Sequence, residues 1–202
     1  MRRFCASASA SLLGVEIRPV GPALLPDVGE LFEGNSTTRG CYCMWFLLAS
    51  KEMDAGWGGG NRVRFEAAVR ESGEPFGVLA YDDDGKPLGW AAVGPRARYA
   101  RILRSPLMTG RDPGEDDRVW MVPCFFVRVG ARKAGTTKSL LTAAVSTAAD
   151  RGATAVEGFP LAGPGPHRDD RYLGTEGLFA ACGFHEVARP SPRRVVMRRR
   201  LV

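Results

Sequence analysis

A basic turn that contains one glycine stands directly before a helix-like pattern in the last third of the chain. A helix start presents backbone N–H groups without intrahelical partners and the positive end of the helix dipole, worth about 0.3–2 kcal/mol toward a nearby anion. Gly135 would let the backbone approach a phosphate closely, and Arg132, Lys133 and Lys138 add positive charge around it. These residues can form an anion site, although a glycine in a basic turn, taken alone, more often belongs to a turn that binds nothing.

The turn lies between a buried strand and an amphipathic helix. Residues 119–128 are almost wholly apolar, which predicts a central strand covered on both faces. Pro123 interrupts this strand, and because proline has no N–H to donate, we expect a bulge or a separation from the neighbouring strand there, and with it a cleft. Residues 138–151 repeat apolar side chains at helical period, and Thr136 or Thr137 would cap the start of that helix.

The remaining segments alternate between strand and helix patterns, which predicts a mixed α/β fold. The Asp-Gly pair at residues 84–85 lies between two apolar runs and predicts a tight hairpin. Residues 34–43 are rich in turn formers. The other predicted elements are strands at 15–20, 153–159, 183–187 and 194–202, hairpin strands at 76–81 and 88–93, and helices at 22–32, 61–71 and 175–181.

Length and composition favour one soluble domain. The chain has 202 residues, of which 45% are hydrophobic and 25% charged, an ordinary globular composition. We assign residues 15–202 to a single domain and residues 1–14 to a disordered tail. No apolar run reaches the roughly 18 residues that a membrane span needs, so no membrane partner is expected. The five cysteines do not form a disulfide-like framework, which favours a reducing cytoplasm.

The order of elements around the basic turn resembles that of the GNAT superfamily of acyl-CoA-dependent N-acetyltransferases. The superfamily signature reads Arg or Gln, two residues, Gly, one residue, then Gly or Ala, between an apolar strand and an amphipathic helix. Arg132, Gly135 and Thr137 stand at the defining positions, and Thr137 departs from the signature because its side chain is branched. The resemblance extends from about residue 15 to the C-terminus and includes the hairpin, the interrupted strand and the Gly183-Phe184 unit.

The resemblance implies a fold and a cofactor. The fold would be a mixed α/β domain with a central mixed sheet of about six to seven strands, flanking helices, and a V-shaped cleft between parallel strands at 123–128 and 153–159. The cofactor would be acetyl-CoA (coenzyme A), with backbone groups of Phe126, Val127 and Arg128 against its pantetheine, and a bulge N–H near Phe125 or Phe126 polarising the thioester. The implied cofactor-binding residues are Phe125, Phe126, Val127, Arg128, Arg132, Lys133, Ala134, Gly135, Thr136, Thr137 and Lys138.

The resemblance also points to residues for proton transfer. A tyrosine of the superfamily often protonates the leaving thiolate from four residues before the Gly-Phe pair, and Phe179 holds that position here. Tyr172 is our first substitute for this acid, and Cys124 and Cys182 are the alternatives. For the base, Glu157 on the strand that faces the cleft is the leading carboxylate. A strand carboxylate paired with an arginine explains Glu157 equally well.

In the superfamily, the segment after the first helix lines the acceptor pocket, which makes Cys41, Cys43 and Trp45 the candidate substrate-binding residues. Packing beneath a loop is the other explanation for them. A Cys-x-Cys pair lacks the spacing of common zinc sites, so no metal is expected. The glycine-rich stretch that begins at Trp57 would gate the pocket.

Two groups of arginines allow both a functional and a structural explanation. The first group would grip the cofactor phosphates or an acidic substrate, or would form an exposed charged face; its members are Arg96, Arg98, Arg101 and Arg104. The second group begins at Arg193 and Arg194 and alternates with apolar residues, as solvated arginines of an edge strand do.

The leading function is transfer of an acetyl or related short acyl group from acetyl-CoA to a primary amine of a small molecule or peptide. A non-catalytic acyl-CoA-binding sensor or partner module of the same fold is the alternative, because Phe179 replaces the usual tyrosine. The formal charge of +6 would attract nucleic acid as well as a polyphosphate cofactor. The aromatic residues do not alternate with the basic ones, so no nucleic-acid partner is expected. Dimers are common among relatives, and a homodimer stays open.

Overall fold

The computed structural model describes residues 10–12, 15–108, 110–132, 134–163 and 170–201. Its strands are β1 (Ala10–Leu12), β2 (Val15–Pro19), β3 (Gly77–Tyr81), β4 (Pro87–Ala92), β5 (Gly94–Pro95), β6 (Val119–Met121), β7 (Phe125–Val127), β8 (Ala155–Gly158), β9 (His185–Ser191) and β10 (Arg194–Arg200). Its α-helices are α1 (Leu25–Glu33), α2 (Ser36–Cys41), α3 (Ser50–Ala55), α4 (Gly60–Glu71), α5 (Ala100–Leu103), α6 (Thr136–Asp150) and α7 (Glu176–Ala180). Short 3₁₀ turns join several of them.

The strands form two sheets, which meet at the interrupted strand. One sheet has the order β1-β2-β3-β4-β7 and the other the order β5-β6-β8-β10-β9. β6 runs parallel to β8, whereas β7 runs antiparallel to β4. The predicted mixed α/β fold class is confirmed. The two sheets have five strands each, in place of the single sheet of six to seven strands that the resemblance implied.

Pro123 marks the point at which the strand leaves one sheet for the other. The N–H of Val122 donates to the carbonyl of Glu157 over 2.9 Å, in line with the β6–β8 ladder. The N–H of Ala92 donates to the carbonyl of Cys124 over 2.9 Å, in line with the β4–β7 ladder. Because the proline between them has no N–H, the change of partner sacrifices no donor. The separation predicted at Pro123 is confirmed, and it opens a V-shaped space between β7 and β8.

Helices cover both faces of the first sheet. The apolar stripe of α6 is buried together with residues of β3, β4 and β7 in one core cluster, in which Leu140, Leu141 and Ala144 have no exposed surface. On the other face, Phe32 of α1 lies edge-on to Trp90 of β4, with ring centroids 5.5 Å apart. The sheet is therefore held between α6 on one side and α1 with α4 on the other, which fixes the direction of β7 at the cleft.

The hairpin formed by β3 and β4 confirms the prediction made from the Asp-Gly pair. Gly85 has φ +75°, a conformation that L side chains rarely adopt. Its N–H donates to the carbonyl of Asp82 over 3.0 Å, and the Asp82 carboxylate accepts the N–H of Lys86 over 2.8 Å. The turn is thus closed by local bonds alone.

Several segments differ from the prediction or refine it. Residues 10–12, which we assigned to the disordered tail, form β1 and pair with β2. The other residues of that tail lie outside the described residues. Residues 34–43 contain α2, because the Asn35 side chain accepts the N–H groups of Thr37 and Thr38 at 3.0 and 3.3 Å and so starts a helix. Residues 50–55 form helix α3, in the stretch before residue 61 for which the sequence allows either a loop or a short helix. Among the described residues, no helix has the length and apolar character needed to cross a membrane.

Candidate functional site

A cavity of about 660 Å³ lies beside the split between β7 and β8, and aromatic side chains form a large part of its walls. Trp90, which is 1% exposed, forms part of the floor, whereas Trp45 and Trp57 at the rim are 41% and 52% exposed. Phe126 of β7 and Phe159, just after β8, contribute from the two sides of the split. Rings of this kind favour a flat apolar group between them.

The polar side chains of the lining are mostly thiols and guanidinium groups. Cys41, Cys43 and Cys124 supply the thiols, and Arg101 and Arg194 supply the positive charge. The described part of the lining includes no carboxylate. Within the described lining, a ligand with several positive charges would find no counter-charge, whereas an anionic group would meet Arg101.

A strained turn after α2 brings the predicted acceptor residues to the cavity. Tyr42 and Cys43 have φ +46° and +56°, and such left-handed backbone costs about 1–2 kcal/mol per non-glycine residue. The turn buries Tyr42, whose ring lies edge-on to Phe32 with centroids 5.2 Å apart, and leaves Cys41, Cys43 and Trp45 along the cavity wall. Of the two sequence-based explanations for these three residues, the structure places them at a pocket wall.

Two of the lining thiols have pKa values above their usual range. A hydrogen bond with the Cys43 side chain, followed by burial, raises the pKa of Cys124, and burial raises the pKa of Cys41 to about 11. The indole N–H of Trp90 donates to the sulfur of Cys43 over 3.2 Å. The thiols of Cys41 and Cys124 are therefore protonated at neutral pH. No set of three His, Cys, Asp or Glu side chains in the described ranges is arranged to hold a metal ion.

Arg101 reaches the cavity from α5 and is held in place by its neighbours. Its guanidinium carbon lies 3.8 Å from the ring centroid of Trp45. Its backbone N–H donates to the carbonyl of Phe46 over 3.2 Å. The Nη1 atom is buried and has no hydrogen-bond partner among the described residues. The sequence offered no signal that separated Arg101 from the arginines around it.

The other arginines of that group do not form the exposed charged face that was one explanation for them. Arg96 is 1% exposed and belongs to an ion-pair network. Arg98 donates to the carbonyl of Pro75 over 2.7 Å, and its guanidinium lies 4.1 Å from the ring centroid of Phe76. Only Arg104 of the four is exposed. The four arginines differ in the residues that pack around them, and the sequence does not reveal this difference.

The start of α6 carries no side-chain cap. Its N-cap is Gly135, which has φ +81°. Both predicted threonine caps are wrong, since Thr136 is the first helical residue and its hydroxyl donates to the carbonyl of Ala131 over 3.1 Å, and Thr137 follows it. Ala134, Gly135 and Lys138 are exposed, and Lys133 lies outside the described residues. The first turn therefore has no side-chain cap and lies beside the exposed residues Gly135 and Lys138, an arrangement that leaves room for an anion.

The two arginines near this turn are partly engaged. The Nε of Arg132 donates to the carbonyl of Val127 over 3.0 Å. The guanidinium of Arg128 lies 3.2 Å from the carboxylate of Glu30 on α1. Arg132 remains exposed at the turn, whereas Arg128 points to α1.

The free edge of β7 lies along the split. Cys124 and Arg128 bond to β4 through their carbonyl and N–H respectively, and because antiparallel ladders use alternate residues, Phe126 bonds to β4 as well. Phe125 and Val127 therefore direct their backbone groups toward the split. The backbone groups of Phe126 and Arg128, which the resemblance placed against pantetheine, thus bond to β4 instead. The backbone groups of Phe125 and Val127, named in the same prediction, are the ones on the side of the split.

Solved structures of acetyltransferases share this architecture. A ribosomal-protein-alanine N-acetyltransferase from Brucella melitensis is similar with a TM-score of 0.53 and 18% identity, over 92% of this chain and 99% of that one. An N-acetyltransferase from Staphylococcus aureus Mu50 has a TM-score of 0.55 and 13% identity, over 93% and 99%. A GCN5-related N-acetyltransferase from Kribbella flavida has a TM-score of 0.52 and 18% identity, over 93% and 98%. The chain has the GNAT fold. No family model and no curated protein match the sequence.

In this GNAT fold, Glu157 is held by arginines rather than presented to the cavity. Its carboxylate lies 2.9 Å from Nη1 of Arg96 and 3.5 Å from Nη1 of Arg198, and the residue is 3% exposed. Arg96 also pairs with Asp116 at 2.6 Å. Glu157 does not belong to the cavity lining. Of the two explanations for this residue, a general base or a paired strand carboxylate, the ion pair is the one that the structure shows.

The residues considered for thiolate protonation are split between core and cavity. Phe179, at the position of the superfamily tyrosine, is fully buried, with its ring centroid 6.0 Å from that of Phe125 and 4.9 Å from that of Phe184. Tyr172, on the 3₁₀ turn Asp170–Leu173, and Cys124 both line the cavity. Cys182 is buried in the core cluster around α6. The GNAT fold thus leaves Tyr172 and Cys124 as the candidates that face the cavity.

Proposed function

We propose that the protein is a GNAT-type N-acyltransferase that moves an acetyl or other short acyl group from acetyl-CoA to a primary amine. One observation supports this most: the uncapped start of α6, the free edge of β7 and the apolar cavity follow one another along the split strand. An elongated ligand with an anionic end, an amide-bearing arm and a reactive end matches that order of features.

The residues present fit coenzyme A. The first turn of α6 with Gly135 would hold the diphosphate, because its N–H groups have no side-chain competitor. Arg132 and Lys138 would add charge beside it. The backbone groups of Phe125 and the N–H of Val127 would pair with the pantetheine amides, since the Val127 carbonyl already accepts from Nε of Arg132. When bound, the cofactor supplies an acyl thioester, which an amine attacks directly. The N–H of Phe125 is the donor on the cleft side that would orient the thioester carbonyl.

The walls of the cavity would act on the acceptor amine by excluding water. An apolar environment disfavours the charged form of an amine and lowers its pKa. The described lining includes no carboxylate to remove a proton, and Glu157 is committed to Arg96. We infer that the amine enters as the neutral base and that no carboxylate of the described lining acts as its general base. The proton that the nitrogen loses as the amide forms would pass to the leaving thiolate, directly or through the Tyr172 hydroxyl.

The leaving thiolate would take its proton from the side chains at the mouth of the split. The Tyr172 hydroxyl remains our first choice, and the Cys124 thiol is the alternative. A raised pKa keeps Cys124 protonated but makes it a weak acid. A thiol with a pKa of about 8.5 is also a fair leaving group without strong assistance, so the acid contributes to rate rather than being indispensable.

A substitution at the phosphate turn tests the proposal. Gly135→Glu would place a carboxylate at the helix start, and we expect it to weaken acetyl-CoA binding at least a hundredfold in isothermal titration calorimetry. The matched control is Gly152→Glu, at the other end of α6, because Gly152 has the same kind of positive φ, +77°, with open space around it. The control reproduces the backbone strain, about 1 kcal/mol or more, without touching the turn. Equal acetyl-CoA affinity in both variants and the wild type would remove the assignment.

A non-catalytic acyl-CoA-binding module is the second candidate, because the buried Phe179 occupies the superfamily tyrosine position. The two candidates differ in turnover. Release of free CoA with a panel of primary amines supports the enzyme, whereas acetyl-CoA binding in calorimetry without any CoA release supports the binding module.

A further inference from the structure

We propose that the acceptor is an amine that also carries a carboxylate and a flat apolar group, as the aromatic amino acids do, and that Arg101 binds the carboxylate. This inference rests on the proposed acetyltransferase function and names the substrate class of the same cavity. It depends on the charge of the walls, the geometry of Arg101 and the aromatic surfaces around it.

The charge of the cavity walls favours a ligand that carries a negative group. The described lining includes no carboxylate, and Arg101 is a positively charged side chain in it. Polyamines and aminoglycosides carry several positive charges, for which this lining provides no carboxylate. A ligand with one amine and one carboxylate places its negative group where the walls are positive and can bring the amine in neutral form.

The geometry of Arg101 favours a planar anion. Its guanidinium carbon lies 3.8 Å from the ring centroid of Trp45, and its backbone N–H donates to the carbonyl of Phe46. The buried Nη1 lacks a hydrogen-bond partner in the described structure. A buried donor without a partner is costly, and a carboxylate accepts from a guanidinium through two parallel bonds. A bound carboxylate would therefore supply the hydrogen-bond partner that Nη1 of Arg101 lacks.

The aromatic walls favour a flat apolar group. Trp90 and Phe126 lie inside the cavity, and Trp57 lies at its rim against α2, where a Cβ at Gly40 would overlap the Trp57 ring. Glycine at this position is thus what allows Trp57 to lie beside the opening. A cavity of about 660 Å³ is within the range of sites that enclose small molecules, and it has room for a single aromatic side chain beside the acyl group.

The test compares amines that differ only in the carboxylate. Acetyl transfer from acetyl-CoA is measured with L-phenylalanine against phenethylamine and with L-tryptophan against tryptamine. We expect kcat/KM about tenfold or more higher for each amino acid, the ratio that a hydrogen bond to a charged group produces. Equal or lower kcat/KM for both amino acids would overturn the inference, while turnover of the amines would leave the proposed function in place.

Substitutions in and beside α5 test whether Arg101 is the side chain that favours amino acids over the corresponding amines. Arg101→Gln should remove the preference by raising KM for the amino acids about tenfold with little change in kcat, and Arg101→Lys should retain part of it. Arg104→Gln is the matched control, because Arg104 lies at the end of the same helix and is exposed. Unchanged KM in Arg101→Gln, with circular dichroism showing a folded protein, would overturn the role of Arg101.

A binding measurement separates this inference from the proposed function. In calorimetry on the wild-type protein with CoA present, L-tryptophan should bind about tenfold more tightly than tryptamine, and Arg101→Gln should abolish the difference. If this holds without acetyl transfer to any amine, the ligand class stands and the transferase function fails. If tryptamine binds as tightly as L-tryptophan, the ligand class fails whatever the turnover.

Discussion

At the scale of single residues, Glu157 shows how a carboxylate in a cleft-forming strand becomes structural. Arg96 and Arg198 both contact its oxygens, and Arg96 has a second partner in Asp116. Removing one member of a buried pair leaves the opposite charge uncompensated, which commonly costs about 3–5 kcal/mol. The remaining contact of Arg96 with Asp116 at 2.6 Å should reduce that cost.

We predict that Glu157→Gln lowers the free energy of unfolding by about 2–3 kcal/mol, since the amide keeps the shape but not the charge. Urea denaturation measures this. Glu74→Gln is the control, because the Glu74–Arg151 pair is 2.7 Å long but 40% and 43% exposed, and exposed pairs contribute about 1 kcal/mol or less. Unaltered stability combined with a large loss of kcat would restore Glu157 as the general base.

At the scale of elements, α2 and the turn after it position much of the acceptor wall. The helix has six residues, so its own hydrogen bonds are few and its ends matter. Asn35 caps it, and the hydroxyl of Thr38 donates to the carbonyl of Phe32 over 2.7 Å, which ties α2 to α1. The left-handed pair Tyr42 and Cys43 then depends on this helix for its support.

We predict that Asn35→Ala lowers the free energy of unfolding by about 1 kcal/mol and raises KM for the acceptor amine, because the N-cap is lost and the Cys41–Trp45 wall loosens. Steady-state kinetics and urea denaturation measure the two effects. Asn35→Asp should restore both, since aspartate is an equally good cap. A stability loss with unchanged KM would show that the wall does not depend on α2.

At the scale of the whole molecule, burial raises the pKa of several thiols and phenols at once. Burial raises the pKa of Cys41, Cys182, Tyr42 and Tyr99, and a hydrogen bond to Cys43 is the largest cause for Cys124. The folded chain holds these protons to a higher pH than the unfolded chain does. Stability from this source is complete below about pH 8.5, where unfolded thiols begin to ionise, and is lost as pH rises toward the folded values.

We predict that Tm in the presence of a reductant stays nearly constant from pH 7 to about 8.5 and falls steadily toward pH 11. Differential scanning calorimetry at several pH values measures this. In the double variant Cys41→Ala and Cys182→Ala the fall should be shallower, because two of the groups that release protons on unfolding are gone. A slope identical to that of the wild type would show that these thiols do not titrate with unfolding.

Features that depend on residues close together in the sequence could be predicted without the structure. The Asp84-Gly85 pair predicts the hairpin, the apolar period predicts α6, and Pro123 predicts the division of the central strand. Turn conformation, helical periodicity and a missing N–H are all local properties of the chain. The glycine turn before α6, which we propose as the phosphate site, is likewise visible as a glycine before an amphipathic helix. Resemblance to the GNAT superfamily joined these pieces into the fold class that the structure has.

Which charged and polar groups come into contact depends on tertiary packing and could not be predicted from local sequence. Glu157 and Arg96 are 61 positions apart. Cys124 and Cys43 are also distant in the sequence, yet their side chains share a hydrogen bond, so no local pattern pairs them. The fates of Arg101 and Arg104 differ because one packs on Trp45 and the other faces solvent. Packing assigns the environment of each side chain, and the environment, rather than the residue type, decides whether an arginine supports the fold or faces a ligand.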